Sequence, residues 1–206
     1  MPQKNVIQPL ESDRYFHIYN RGIDGQKIFS DDSDYLFFLQ KYQTYLSRYV
    51  YTLAYCLIPN HFHFFIKTRK SRSKKYHLKV SNQFRRLFIS YSLHFNRQEN
   101  RMGNLCTRHF RRIIIDKDEY LQNILFYIHY NSQKHQIISD FRLYQYSSYN
   151  QMFKKWPNFI DRDFVLGFFN GNIEEYKEFH MELLREKSRV EPEEESGNVL
   201  EMASHL

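Results

Sequence analysis

Two histidines one residue apart, His61 and His63, are the first side chains whose types and spacing could do chemistry. They open the stretch His-Phe-His-Phe-Phe-Ile-Lys-Thr, which is rich enough in β-formers to be a strand. A strand's side-chain period of two puts both imidazoles on one face and Phe62 on the other. Two imidazoles on one face can bind one divalent ion. In a chain with 10 histidines such a pair also arises by chance, so it needs support from elsewhere. Tyr127 and Asn131 provide it. They are four residues apart in a helix-like segment and therefore neighbours on one helical surface, beside the apolar stripe Leu121, Leu125 and Ile128. A nucleophile and an oxygen ligand could share a site there. Tyr120 and Tyr130 compete with Tyr127 for the nucleophile's role, and the helical spacing to Asn131 favours Tyr127.

The elements that must position these residues follow from periodicity and turn signals. Arg14 to Asn20 is short and aromatic and is followed by Arg21-Gly22, so it reads as a strand ending in a turn. Asp31 and Asp32 can cap a helix carrying Leu36, Phe37, Leu39, Tyr42, Tyr45 and Leu46 and ending near Arg48. Val50 to Ile58 and His61 to Thr68 flank the turn dipeptide Pro59-Asn60, which predicts a hairpin whose second strand begins at the histidines. After a basic loop from Lys70 to Lys75, the positions Val80, Phe84, Leu87, Phe88, Tyr91 and Phe95 recur at helical spacing. Thr107 to Ile115 reads as a fourth strand, and Asp118 as the cap of a helix reaching about Lys134.

The order β-α-β-β-α-β predicts an α+β fold with a ferredoxin-like antiparallel sheet, two split βαβ units with helices on one face, plus the extra helix that carries Tyr127. A weaker helical pattern runs from Asp161 to Arg189, interrupted at Gly167 and Gly171. Residues 1–153 therefore read as one domain, and 154–206 as an acidic, partly helical appendage with a disordered tail from about 190.

Charge divides along the same line. Residues 1–153 hold 23 basic and 11 acidic side chains, a net +12, whereas 154–206 hold 7 and 12, a net −5. From Tyr35 to Gln98 there is no Asp or Glu but 12 Lys or Arg, nine of them between Lys67 and Arg86. Lys and Arg mixed with 19 Phe and 17 Tyr is the combination that neutralises phosphates and stacks bases, so nucleic acid is the expected partner. The candidate contacts are Lys67, Arg69, Lys70, Arg72, Lys74, Lys75, Lys79, Arg85 and Arg86, with Arg108, Arg111 and Arg112 near the fourth strand. Cys56 and Cys106 lie 50 residues apart without metal-ligand spacing, which argues against a disulfide framework or a zinc ribbon. With no leader-like N-terminus and no long apolar run, a soluble cytoplasmic protein without a membrane partner is expected.

Leu57-Ile58-Pro59-Asn60-His61-Phe62-His63-Phe64-Phe65 resembles the His-hydrophobic-His strand of the HUH endonucleases, in the form found in single-tyrosine transposases of bacterial insertion sequences. The resemblance is closest to their relatives associated with repetitive extragenic palindromes. It extends to Tyr15–Gly22, the helix from Ser81 to Asn96, Gly103-Asn104-Leu105, Tyr127–Asn131 and Tyr146-Ser147-Ser148-Tyr149, and so spans about residues 14 to 150. It implies that His61 and His63 bind a divalent metal, Mg²⁺ or Mn²⁺, that Asn131 stands at the third ligand's place, and that Tyr127 is the nucleophile. It implies a single-stranded or hairpin DNA substrate, joined to Tyr127 through a 5′ phosphate and then rejoined. One departure bears on Asn131: Ser132-Gln133 follow it where the family has Pro-Val, so the helix can continue past it. Lys134 then lies two turns from Tyr127. Two other readings are a domesticated DNA- or RNA-hairpin-binding protein that no longer cuts, and a metal-dependent phosphodiesterase using water. Homodimer and monomer both remain open.

Overall fold

A computed structural model describes residues 8–107, 109–154 and 159–190. Its sheet is built around the predicted hairpin: β2 (Val50–Ile58) and β3 (His61–Thr68) pair antiparallel on either side of Pro59-Asn60. β1 (Tyr15–Arg21) pairs antiparallel with β3 on one side and with β4 (Arg111–Ile115) on the other, giving the order β2-β3-β1-β4. Strands adjacent in space but not in sequence are what two interleaved βαβ units produce. Gly22 follows β1 where a Cβ would meet the Gln26 carbonyl oxygen at 2.1 Å, so the turn needs glycine.

α1 (Asp32–Leu46) joins β1 to β2, and α2 (Tyr76–Gln98) joins β3 to β4. Asp31 caps α1 by accepting from the backbone N–H groups of Ser33 and Asp34, as its position predicts. The two helices pack together on one face of the sheet. Phe38 meets Phe62 at 5.2 Å between ring centroids, Tyr42 stacks on Phe64 at 4.2 Å, and Phe88 stacks on Phe62 at 5.6 Å. Each of the buried rings Phe38, Tyr42, Phe62 and Phe64 contributes about 1.5–3 kcal/mol, which holds the strands in register. No helix of the described residues is long and apolar enough to cross a membrane.

α3 (Leu121–Lys134) lies on the opposite face, against β2 and β3. Two expectations need correction here. Asp118 does not cap α3: Asp118–Tyr120 form a single 3-10 turn, and the helix starts at Leu121 without a side-chain cap. β4 begins at Arg111 rather than Thr107; before it, Thr107 bonds back to Arg21 and Cys106 bridges to Gly22.

The chain beyond residue 153 packs into the same core. α4 (Arg162–Leu166) and α5 (Ile173–Val190) are separated at Gly167 and Gly171 as the sequence suggests. Asp161 exchanges hydrogen bonds with Thr52 of β2, its Oδ2 accepting from the Thr52 N–H at 2.8 Å. Ile160, Val165, Leu166, Phe169 and Tyr176 are buried with the core residues of the sheet. The charge division after Phe153 is therefore no boundary between separate cores. The tail expected from about residue 190 falls outside the described residues.

His180 on α5 is fully buried, bonds His129 of α3 at 3.0 Å and the Tyr176 carbonyl at 2.8 Å, and burial pushes its pKa down to about 4. In the unfolded chain it would titrate near 6.5, so between these values the unfolded state binds more protons and stability falls as pH falls. His180 alone would cost on the order of 3 kcal/mol by pH 4. Urea midpoints recorded from pH 7 to 4.5 should decline across this window; a flat profile would contradict a neutral buried His180.

Candidate active site

The register of β1 on β3 assembles the site. Arg21 lies opposite His61, Tyr19 opposite His63, and His17 opposite Phe65. Opposed residues share a face, so His61, His63, His17 and Tyr19 line one side of the sheet while Phe62, Phe64, Phe16 and Ile18 enter the α1–α2 layer. The His17 and His63 rings lie edge to edge with centroids 5.1 Å apart, and Tyr19 stacks on His17 at 4.9 Å.

α3 lies across this face and brings the second pair to the first. The Tyr127 ring stands edge-on to His17 and His63, with centroids at 5.8 and 5.9 Å, so Tyr127 meets the histidines of its own chain. Tyr120 lies in the 3-10 turn before the helix, and Tyr130 stacks on Phe126 and is buried. The ring contact with His63 comes from Tyr127. The helix runs past Asn131 to Lys134, as Ser132-Gln133 allow. Asn131 is buried, and its Nδ2 donates to the Tyr127 carbonyl oxygen at 2.7 Å. That bond orients the amide. Asn131 Oδ1 makes no hydrogen bond of ordinary geometry, although its side chain lies close enough to His61 and Tyr127 to oppose the burial effect on each.

Burial dominates the protonation states. It pushes His61 down to about 3, with the charges of His135 and Arg21 acting in the same direction. It holds His63 well below the usual imidazole range, with His17 adding to the effect. Neutral imidazole is the form that binds a metal. Burial raises the Tyr127 phenol, so it is protonated at neutral pH.

The residues present fit a divalent cation. His61 Nδ1 is 2.8 Å from Asn60 Oδ1, which can only accept, so Nδ1 carries the proton and Nε2 keeps its lone pair. His63 Nδ1 is likewise engaged, at 2.8 Å from His17 Nε2. Among the described residues no three His, Cys, Asp or Glu side chains are grouped to hold a metal. The buried Oδ1 of Asn131, beside His61, is an oxygen of the right type for a third ligand.

The basic residues divide. Arg111 lies opposite Tyr19 on the histidine face. Arg112, opposite Ile18, points to the other side, where it bonds Ser81 at 3.0 Å and lies over Phe110. Lys67 pairs with Asp13 at 2.9 Å and sits over Tyr15 and Phe164, and Arg69 stacks over Tyr51 and bonds the Ser47 carbonyl, so both are held by the protein itself. Lys70, Arg72, Lys74 and Lys75 are exposed in the loop after β3, and Lys79, Arg85 and Arg86 are exposed on α2. The loop lies at the far end of β3 from His61, roughly 20 Å away at strand rise, and α2 lies on the sheet face opposite the histidines. Arg108 lies outside the described residues.

Four residues at the site escaped sequence reasoning: His17, Tyr19, Arg21 and His135. The first three alternate along β1 with the same period as His61 and His63, a signal that becomes useful only once the pairing of β1 with β3 is known. His135 ends α3 with its ring 4.6 Å from His61. The closing motif Tyr146–Tyr149 has a structural task. Its backbone pairs with the outer edge of β2, and Ser148 Oγ bonds both the Tyr55 N–H and His129 Nε2.

No family model matches the chain. A Haemophilus influenzae protein named for the REP-associated tyrosine transposases is 30% identical over 105 residues, which cover 48% of this chain and 59% of that protein. The chain thus spans about three fifths of the length of that curated relative. A solved structure of a REP-associated tyrosine transposase bound to a REP hairpin superposes with a TM-score of 0.54 at 13% identity, over 76% of this chain and 89% of that one. At that identity the match speaks for the fold. In sequence over about half its length, and in fold over three quarters of it, the chain resembles the REP-associated tyrosine transposases.

Proposed function

We propose that this protein cuts and rejoins single-stranded or hairpin DNA through Tyr127, assisted by a divalent cation, Mg²⁺ or Mn²⁺, on His61, His63 and Asn131. The observation that carries the reading is the meeting, within one chain, of the Tyr127 ring with His63 and of the buried Asn131 side chain with His61 and Tyr127. The H. influenzae relative's name supports a transposase, and the hairpin in the matched structure supports hairpin DNA as substrate.

A divalent cation bound there would polarise the scissile phosphate and offset charge on the leaving 3′ oxygen. Tyr127 Oη forms a bond to phosphorus as the P–O3′ bond breaks. The phenolic proton passes to solvent and the 3′ oxygen takes one up, leaving a 5′-phosphotyrosine and a free 3′ hydroxyl. One phosphodiester replaces another, so a 3′ hydroxyl can reverse the step without ATP. Because a free phenol is only about 0.1% ionised at pH 7, and burial lowers that fraction, the proton must leave Tyr127 as the substrate engages. The Asn131 side chain acts in the helpful direction, favouring the phenolate.

Arg21 and Arg111 flank the histidines, and the exposed lysines of the 69–75 loop offer a second basic patch at the far end of β3. Each phosphate contact adds about 0.7 to the salt slope for a single strand. Lys70→Gln, Lys74→Gln and Lys75→Gln together should lower the slope of log affinity against log salt by about 2, measured by anisotropy of a labelled hairpin. An unchanged slope would remove the loop from the interface. A denaturing gel of the protein with labelled single-stranded DNA and Mn²⁺ tests the proposal: a covalent adduct is expected. Cleavage without an adduct would point to water as nucleophile, and binding without cleavage to a domesticated protein.

A further inference from the structure

We propose that His17 is a positioning residue for the metal site: its Nε2 accepts the Nδ1 proton of His63 and thereby holds His63 in the tautomer whose Nε2 is free to bind the cation. The inference rests on the metal-binding reading of His61, His63 and Asn131.

The two ring nitrogens lie 2.8 Å apart, with the rings edge to edge and near coplanar at an interplanar angle of 21°. Both residues are buried, at 4% and 3% exposure, so the bond is well shielded from competing water. A neutral imidazole carries one proton on its two nitrogens, and the contact can therefore be made in two ways. If His17 donated, His63 would carry its own proton on Nε2 and could not bind a cation through it. If His17 accepts, that nitrogen of His63 is a lone-pair donor. His17 then carries its own proton on Nδ1, has no lone pair left, and acts only through His63. The two proposed ligands thus have their tautomers set by different means: His61 by the amide oxygen of its neighbour Asn60, and His63 by a second imidazole 46 residues away. The β1–β3 register places His17 one pleat along from Tyr19, and the Tyr19 and Tyr127 rings pack on it. Partners that orient ligating histidines in this way typically account for 10- to 100-fold in metal affinity.

The test is Mn²⁺ binding to the full chain, followed by the paramagnetic resonance signal of the free ion. His17→Phe should weaken binding about 10- to 100-fold, because it preserves an aromatic ring but removes the acceptor. His17→Gln, which restores an acceptor, should recover most of the loss, a rescue that a merely packing role would not produce. His17→Phe binding Mn²⁺ as tightly as the unsubstituted chain would overturn the inference alone. His61→Ala retaining full affinity would overturn the metal reading and the inference with it. Should His17→Phe not fold, the ring ¹⁵N signals of the unsubstituted protein with Mg²⁺ decide. Nδ1–H on both His17 and His63 supports the inference, and Nε2–H on His63 contradicts it.

Discussion

Replacing Tyr127 with Phe is expected to abolish the covalent DNA adduct and to lower strand cleavage by at least about four orders of magnitude, or roughly 5.5 kcal/mol of barrier. The substitution keeps the ring that stands edge-on to His17 and His63, and it removes only the hydroxyl. The bond from the Asn131 amide to the backbone carbonyl of residue 127 is untouched by the substitution and keeps the amide oriented. Folding, DNA affinity and Mn²⁺ affinity should therefore stay close to those of the unsubstituted protein, which separates a chemical loss from a structural one. Gel quantification of cleaved and adducted DNA, alongside a thermal melt, checks the prediction. An adduct that persists in Tyr127→Phe would move the nucleophile elsewhere, with Tyr19 the first to examine, since it stacks on the same histidines.

Ending the chain at Phe153 is expected to unfold the remainder. The truncation removes Ile160, Val165, Leu166, Phe169 and Tyr176 from the core, at about 1.5–3 kcal/mol each. The sum is on the order of 10 kcal/mol, as large as the whole stability of a typical domain. It also strips Tyr149 of the Tyr176 ring stacked on it, leaves His129 without His180, and frees the Thr52 N–H on β2. His129 is two residues from both Tyr127 and Asn131, so the loss reaches the helix that carries the site. Far-UV circular dichroism with a denaturant titration is the check. A truncated chain that unfolds cooperatively at the full-length midpoint would show that residues 159–190 are dispensable.

The hairpin and the first two helices were legible in the sequence because local signals mark them: Pro59-Asn60 between two β-rich runs, Asp31 before an apolar periodicity, and the long helical spacing from Val80 to Phe95. Tyr127 and Asn131 were legible as a pair because four residues is a helical turn. What was not legible depends on contacts far apart in the chain. No local pattern says that β1 pairs with β3 in the register that puts Tyr19 opposite His63 and His17 diagonal to it, nor that Arg111 and Arg112, adjacent in sequence, face opposite layers. The charge count misled about the C-terminal segment. Net charge describes the solvated face of α5, whereas attachment is decided by its buried face, where Tyr176 and His180 are fully enclosed. Likewise, nine basic residues close together suggested a single surface, but ion pairing and ring stacking hold Lys67 and Arg69 within the protein.

The central claim is that one tyrosine becomes joined to DNA. The most direct test is a tryptic mass map of the full-length protein after incubation with Mn²⁺ and a hairpin oligonucleotide carrying a single-stranded flank. The account predicts a 5′-linked nucleotide mass on the peptide containing Tyr127, and an oligonucleotide fragment ending in a 3′ hydroxyl. Cleaved DNA with no nucleotide mass on Tyr127, or that mass on Tyr120 or Tyr130 instead, would contradict it.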